Sequence, residues 1–153
     1  MHRFGNVSNS VANGLHLSFQ YLCCYNHTQM EVISRAMATV KWHAIPVRFT
    51  RVVCAASMAL ALPDPEAQGA LFGVVSAIEE AMATAGVPVH QFRAEQAPFH
   101  ASLFNAHPPL ATDSREVIEL AQSLIPPSGS LNDDPILIDS FTFNGVVYRS
   151  LPQ

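Results

Sequence analysis

Two short strings in this chain carry side chains fit for chemistry. Leu15-His16-Leu17-Ser18-Phe19 near the start is echoed by Phe99-His100-Ala101-Ser102-Leu103-Phe104 in the second half. Each sets a His-x-Ser among apolar residues. Side chains alternate faces along an extended strand, so His16 and Ser18 point one way, as do His100 and Ser102. Two such strands side by side bring two imidazoles and two hydroxyls to one point of an apolar sheet. That set suits cleavage of a phosphodiester without a metal. One imidazole takes the proton of the attacking hydroxyl and the other protonates the leaving oxygen. Histidine serves both ends because its unperturbed pKa of about 6.5 keeps both forms available near neutrality. Acid–base help of this kind is worth roughly 10²–10⁴ in rate. The hydroxyls of Ser18 and Ser102 are donors for the charge that gathers on the phosphate. Attack by a ribose 2′-hydroxyl leaves a cyclic phosphate, and attack by water opens one. Either histidine can take either role.

The elements that must hold these strings follow from the surrounding pattern. Residues 15–22 read as a buried strand. Met30, Ile33, Met37 and Val40 recur at helical spacing, with Asn26 to Thr28 as cap candidates. Ile45 to Cys54 is a β-branched strand with Ile45, Val47 and Phe49 on one face, and Ala56 to Leu62 is its hairpin partner. Asp64 caps the next helix, Pro65 sits in its first turn, Leu71, Val74, Val75, Ile78 and Met82 form its apolar face, and Gly86 ends it. Strands at 88–93 and 98–104 flank a polar turn. A third helix starts at Asp113, with Glu116 completing a capping-box pattern, and is broken at Pro126-Pro127-Ser128-Gly129. A last strand from Ile136 to Tyr148 turns at Asn144-Gly145. Each His-x-Ser strand is followed by a helix, which predicts two similar lobes within a single domain over residues 1–153. The polar stretch Met1 to Ala12 is expected to be poorly ordered.

Composition sets bounds on what the site can act upon. Apolar residues make up 49% of the chain and charged residues 13%, which excludes a disordered chain. A net charge of −4 and a single lysine, Lys41, exclude a broad electrostatic grip on nucleic acid, so an RNA would be held locally. Three cysteines, Cys23, Cys24 and Cys54, have no metal-ligand spacing; the adjacent Cys23 and Cys24 read as small buried hydrophobes, and a reducing compartment fits best. The apolar run Val52 to Leu62 is too short to cross a bilayer, and the N-terminus lacks a signal-peptide hydrophobic region, so the chain reads as soluble and intracellular. His27, His43, His90 and His107 read as surface or loop residues. Arg48 and Arg51 read as solvated strand arginines, with a phosphate backbone as their alternative partner. Glu79-Glu80 reads as the wet face of a helix, Trp42 as the seal at the end of the first helix, and Met30 and Met37 as core.

Paired His-x-Ser/Thr strands in a two-lobed sheet resemble the 2H phosphoesterase superfamily. Within it the chain is most similar to the U6 snRNA phosphodiesterase family. Leu15-His16-Leu17-Ser18 resembles that family's first motif, and Pro98-Phe99-His100-Ala101-Ser102-Leu103 its second. Asn144-Gly145-Val146-Val147-Tyr148-Arg149-Ser150-Leu151-Pro152 looks like its closing strand. The likeness spans about residues 13–152. It implies a pseudo-symmetric α+β fold of two lobes, with antiparallel sheets and flanking helices. It also implies a nuclear enzyme that trims the oligouridine 3′ end of U6 snRNA in the 3′-to-5′ direction, with no metal or other cofactor and no membrane partner. His16 and His100 would be the acid–base pair, with Ser18 and Ser102 on the phosphate. Two departures stand out. The family carries a strand and a helix before its first motif where 15 residues precede His16 here, and no tyrosine lies just before the second motif, leaving Phe92 as the candidate to stack on a base. The alternatives are a 2H enzyme for a small cyclic nucleotide phosphate and a truncated, non-catalytic fragment.

Overall fold

The computed structural model describes residues 6–9, 17, 24–55, 58–89, 98–107, 119, 122–123 and 125–152. Eight strands and two helices lie among them: β1 (Asn6–Asn9), α1 (His27–Met37), β2 (Ile45–Val47), β3 (Phe49–Ala55), β4 (Met58–Pro63), α2 (Pro65–Thr84), β5 (Ala101–His107), β6 (Ile136–Ile138), β7 (Ser140–Phe143) and β8 (Val146–Arg149). The chain divides into two compact units, each built from three separate segments.

The first unit takes 1–18, 48–65 and 98–135. Its sheet has the order β1-β5-β4-β3, antiparallel throughout. The hairpin of β3 and β4 forms as the sequence predicts, with Val52 opposite Ala61 and Val53 opposite Leu60. On one face Val52 and Ala59 are buried, and Leu103, Ile125 and Leu131 pack on them. The expected third helix lies almost wholly outside the described residues; 119 and 122–123 are helical. Beyond it the chain turns through Gly129, whose φ of 78° suits glycine, and whose N–H bonds Pro126 O.

Two expectations fail in this unit. Asn6–Asn9, expected to be poorly ordered, is the edge strand β1, with Asn6 opposite His107 and Asn9 opposite Phe104. Asparagine and serine are poor strand formers, so the propensity argument misses a strand that backbone pairing with β5 holds. The single strand expected from Ile45 to Cys54 is two strands, parted at Arg48. The Arg48 N–H donates to Asp64 Oδ2 at 3.1 Å, and its carbonyl accepts from the Asp64 N–H at 2.8 Å. With both backbone groups given to Asp64, the run cannot continue as one ladder.

The second unit takes 19–47, 66–97 and 136–153. Helix α1 opens with a capping box: Asn26 Oδ1 accepts from the Gln29 N–H at 2.9 Å and Gln29 Oε1 from the Asn26 N–H at 3.0 Å. Helix α2 buries Leu71, Val74, Val75, Ile78 and Met82, the face read from the sequence. It closes in a Schellman motif, in which Gly86 N–H bonds Ala83 O, Val87 N–H bonds Met82 O, and Gly86 takes a φ of 76°. The expected last strand is three. β6 pairs with β2, while β7 and β8 form a hairpin turned at Asn144 (φ 49°) and Gly145 (φ 77°), a two-residue loop of the I′ kind. The break falls at Asp139, whose carbonyl accepts from the Ser150 N–H. Trp42 is buried against Phe141, with ring centroids 5.8 Å apart, and Phe141 stacks on Tyr148. Cys24, expected in the core, is exposed with a φ of 67°, because the chain there has turned toward the cap of α1. Cys23 and His90 lie outside the described residues, as does the strand expected at 15–22 apart from Leu17. Of the strand expected at 88–93, residues 88 and 89 are not in a strand and the rest is outside.

A clamp of polar contacts holds the loop after the third segment's turn to the start of β3. Asn132 Oδ1 accepts from the Phe49 N–H at 2.9 Å, the Leu131 N–H donates to Phe49 O, and the Arg48 guanidinium donates to the carbonyls of Asn132 and Asp133. Removing Asn132 leaves the half-buried Phe49 N–H without that acceptor. Asn132→Ala is expected to lower unfolding free energy by about 1–3 kcal/mol in urea titrations; an unchanged midpoint would contradict it.

Candidate active site

The second His-x-Ser string stands where the first unit's sheet begins its central strands. The strand expected over 98–104 instead spans Ala101–His107, so His100 precedes it and Ser102 lies in its first turn of pleat. Pro98 explains the late start, because it has no N–H to give a ladder. Phe99 is buried at 2% exposure and Ala101 at 5%, whereas His100 and Ser102 between and beyond them are half-exposed. Alternation thus anchors the string through its apolar members and leaves the polar ones accessible.

Register ties the string to its neighbours. On one side Ala101 lies opposite Ala61 and Ser102 opposite Leu60, with an irregularity between Ala59 and Leu60. On the other side Leu17 makes an isolated antiparallel bridge to Ala101. Leu17 and Ala101 are the middle residues of the two His-x-Ser strings. The two strings therefore meet at their centres within one unit. His16 and Ser18 themselves lie outside the described residues, so their side chains have no described geometry. β1 and Leu17 lie along the same edge of β5, in two different registers.

One contact orients His100. Its Nδ1 is 3.2 Å from Pro98 O. A carbonyl oxygen can only accept, so Nδ1 carries the proton in this contact and Nε2 is the nitrogen that exchanges protons with a bound group. This partner was not foreseen from the sequence, since it is a backbone atom; the Pro-x-His spacing was its only trace. Among the described residues no group of three His, Cys, Asp or Glu side chains could hold a metal ion, and no helix is long and apolar enough to cross a membrane. His43 is exposed and bridges Leu151 in parallel; His27 is exposed and 3.4 Å from Glu31. Phe92 lies outside the described residues. A groove in the second unit, lined by Lys41, His43, Glu66 and the small residues of α2, contains none of the candidate residues.

The sequence matches no protein-family model and no curated protein. The fold is similar to that of LigT from Escherichia coli in its complex with 3′-AMP, with a TM-score of 0.53 over 91% of this chain and 74% of that one, at 11% identity. The mixed architecture of helices and small antiparallel sheets is thus LigT-like, in agreement with the α+β fold expected from the sequence.

The orientation of His100 has a direct spectroscopic consequence. In ¹⁵N-labelled protein with its imidazoles neutral, His100 is expected as the Nδ1–H tautomer, read from its two ring-nitrogen shifts. The Nε2–H tautomer, commoner for free histidine, would contradict the contact with Pro98.

Proposed function

We propose that this chain is a metal-independent 2H phosphodiesterase acting on RNA 3′ ends, in the manner of the U6 snRNA phosphodiesterases it resembles. The observation that carries the reading is the bridge between Leu17 and Ala101. The bridge joins the middle residues of the two His-x-Ser strings, and on this proposal the polar side chains that flank them, His16 and Ser18 on one string and His100 and Ser102 on the other, serve one phosphate. His100 and Ser102 flank the buried Ala101 and are half-exposed.

In this arrangement a phosphate held by the hydroxyls of Ser18 and Ser102 has one imidazole toward the attacking oxygen and the other toward the leaving oxygen. His100 acts through Nε2 because Nδ1 is engaged by Pro98 O. The base accepts the proton of the attacking 2′-hydroxyl, the P–O bond to the departing nucleoside breaks, and the acid's proton goes to that oxygen. The terminal phosphate left behind is cyclic until water opens it. On the same reading the two units are lobes of one domain covering 1–153, and the protein works in the nucleus.

A second reading keeps the site and gives it a small cyclic nucleotide phosphate. It draws on the net charge of −4, the single lysine and the mononucleotide 3′-AMP found on LigT. The closing strand Asn144 to Pro152 favours the RNA substrate.

Purified protein is expected to shorten a labelled oligouridine from its 3′ end in EDTA, and His16→Ala and His100→Ala each to lower the rate by about 10²–10⁴. Activity lost with chelator, or retained in both variants, would overturn the mechanism. Turnover of cyclic mononucleotides without trimming would transfer the reading to the small substrate.

A further inference from the structure

The first unit has two described arginines, and the structure uses them differently. Arg48 is spent on the fold, its guanidinium donating to the carbonyls of Asn132 and Asp133. Arg51 is exposed, and among the described residues nothing pairs with its guanidinium. Its position follows from register. Arg51 lies opposite Leu62 on β4, and Val53 opposite Leu60. Leu60 in turn lies opposite Ser102, and Ala61 opposite Ala101. Opposed residues share a face and alternate residues along a strand return to it, so Arg51, Leu62, Leu60 and Ser102 all occupy one face of the sheet. The opposite face carries Val52, Ala59 and Leu103; Leu60 and Leu62 are buried as well, so among the described residues the exposed polar groups of the first face are Arg51 at the sheet edge and the half-exposed Ser102. Arg51 on β3 and Ser102 on β5 thus stand on one face, across two strand spacings or about 10 Å of sheet, with His100 directly before β5.

We infer that Arg51 binds a second backbone phosphate of a polynucleotide whose neighbouring phosphate sits at His100 and Ser102. This rests on the assignment of that site to phosphodiester chemistry and deepens it by naming the residue that selects a polymer over a mononucleotide. A fork of donors on an edge strand suits an exposed phosphate oxygen pair. A mononucleotide has no second phosphate to offer, so Arg51 discriminates polymer from monomer. It also reconciles an acidic protein with an RNA substrate: the grip is local, one guanidinium on the face that carries Ser102, and not a basic surface.

Salt dependence of binding tests this independently of turnover. Anisotropy of a 5′-labelled oligouridine is followed from low to high salt with wild type, Arg51→Ala and Arg51→Lys. Arg51→Ala is expected to weaken oligouridine about tenfold at low salt. It should also flatten the slope of log K against log salt by about 0.7, the value for one phosphate contact on a single strand. Arg51→Lys should keep the slope, and uridine 3′-monophosphate should lose at least fivefold less than the oligomer in Arg51→Ala. A slope indifferent to Arg51, with wild-type binding intact, overturns the role of Arg51 alone. Wild-type protein that binds no oligouridine overturns the RNA reading and this inference together.

Discussion

An antiparallel pair of strands has one adjustable quantity, its register, and a slip of one residue turns every side chain to the other face. In this protein the contact of Leu17 with Ala101 sets that quantity for the two His-x-Ser strings. Ala101 is buried and also faces Ala61, so the string on β5 is held from both sides. Small side chains matter here. At Ala101 and Ala61 they let β4 and β5 pack on their core face without pushing it away, and the polar residues on either side of Ala101 keep the accessible face. A larger residue at position 101 would strain that core, and a polar one would bury an unsatisfied group.

The second constraint is the joint between Arg48 and Asp64. Both backbone groups of Arg48 are bonded to Asp64, where β4 gives way to α2. The joint closes the open end of the hairpin of β3 and β4, a segment that lies wholly in the first unit. The ladder of the hairpin begins beside that joint, and the irregularity between Phe49 and Arg51 then sets the face on which Arg51 sits.

Much of this was legible because local chemistry decided it. Pro65 and Gly86 bound α2, and the period of Leu71, Val74, Ile78 and Met82 gives its buried face. Asn144-Gly145 states its turn outright. What was not legible depends on partners far along the chain. Ile45 to Cys54 alternates evenly and reads as one strand; its break is imposed by Asp64, a residue with its own local role as a cap candidate. Asn6–Asn9 has only Val7 as a strand former and becomes a strand because β5 offers it an edge. The proposed site divides the same way. Its four side chains are named from two strings, whereas the Pro98 carbonyl and the face shared by Arg51 and Ser102 exist only once the chain has folded and its strands are in register.

The central claim is that His16 and His100 serve a single phosphate. The most direct measurement is a titration of ¹H–¹³C-labelled imidazole signals with uridine 3′-monophosphate, assigned through His16→Ala and His100→Ala. Two resonances, those of His16 and His100, are predicted to move together with one dissociation constant. Movement of only one of them, or two different dissociation constants, would contradict a shared site.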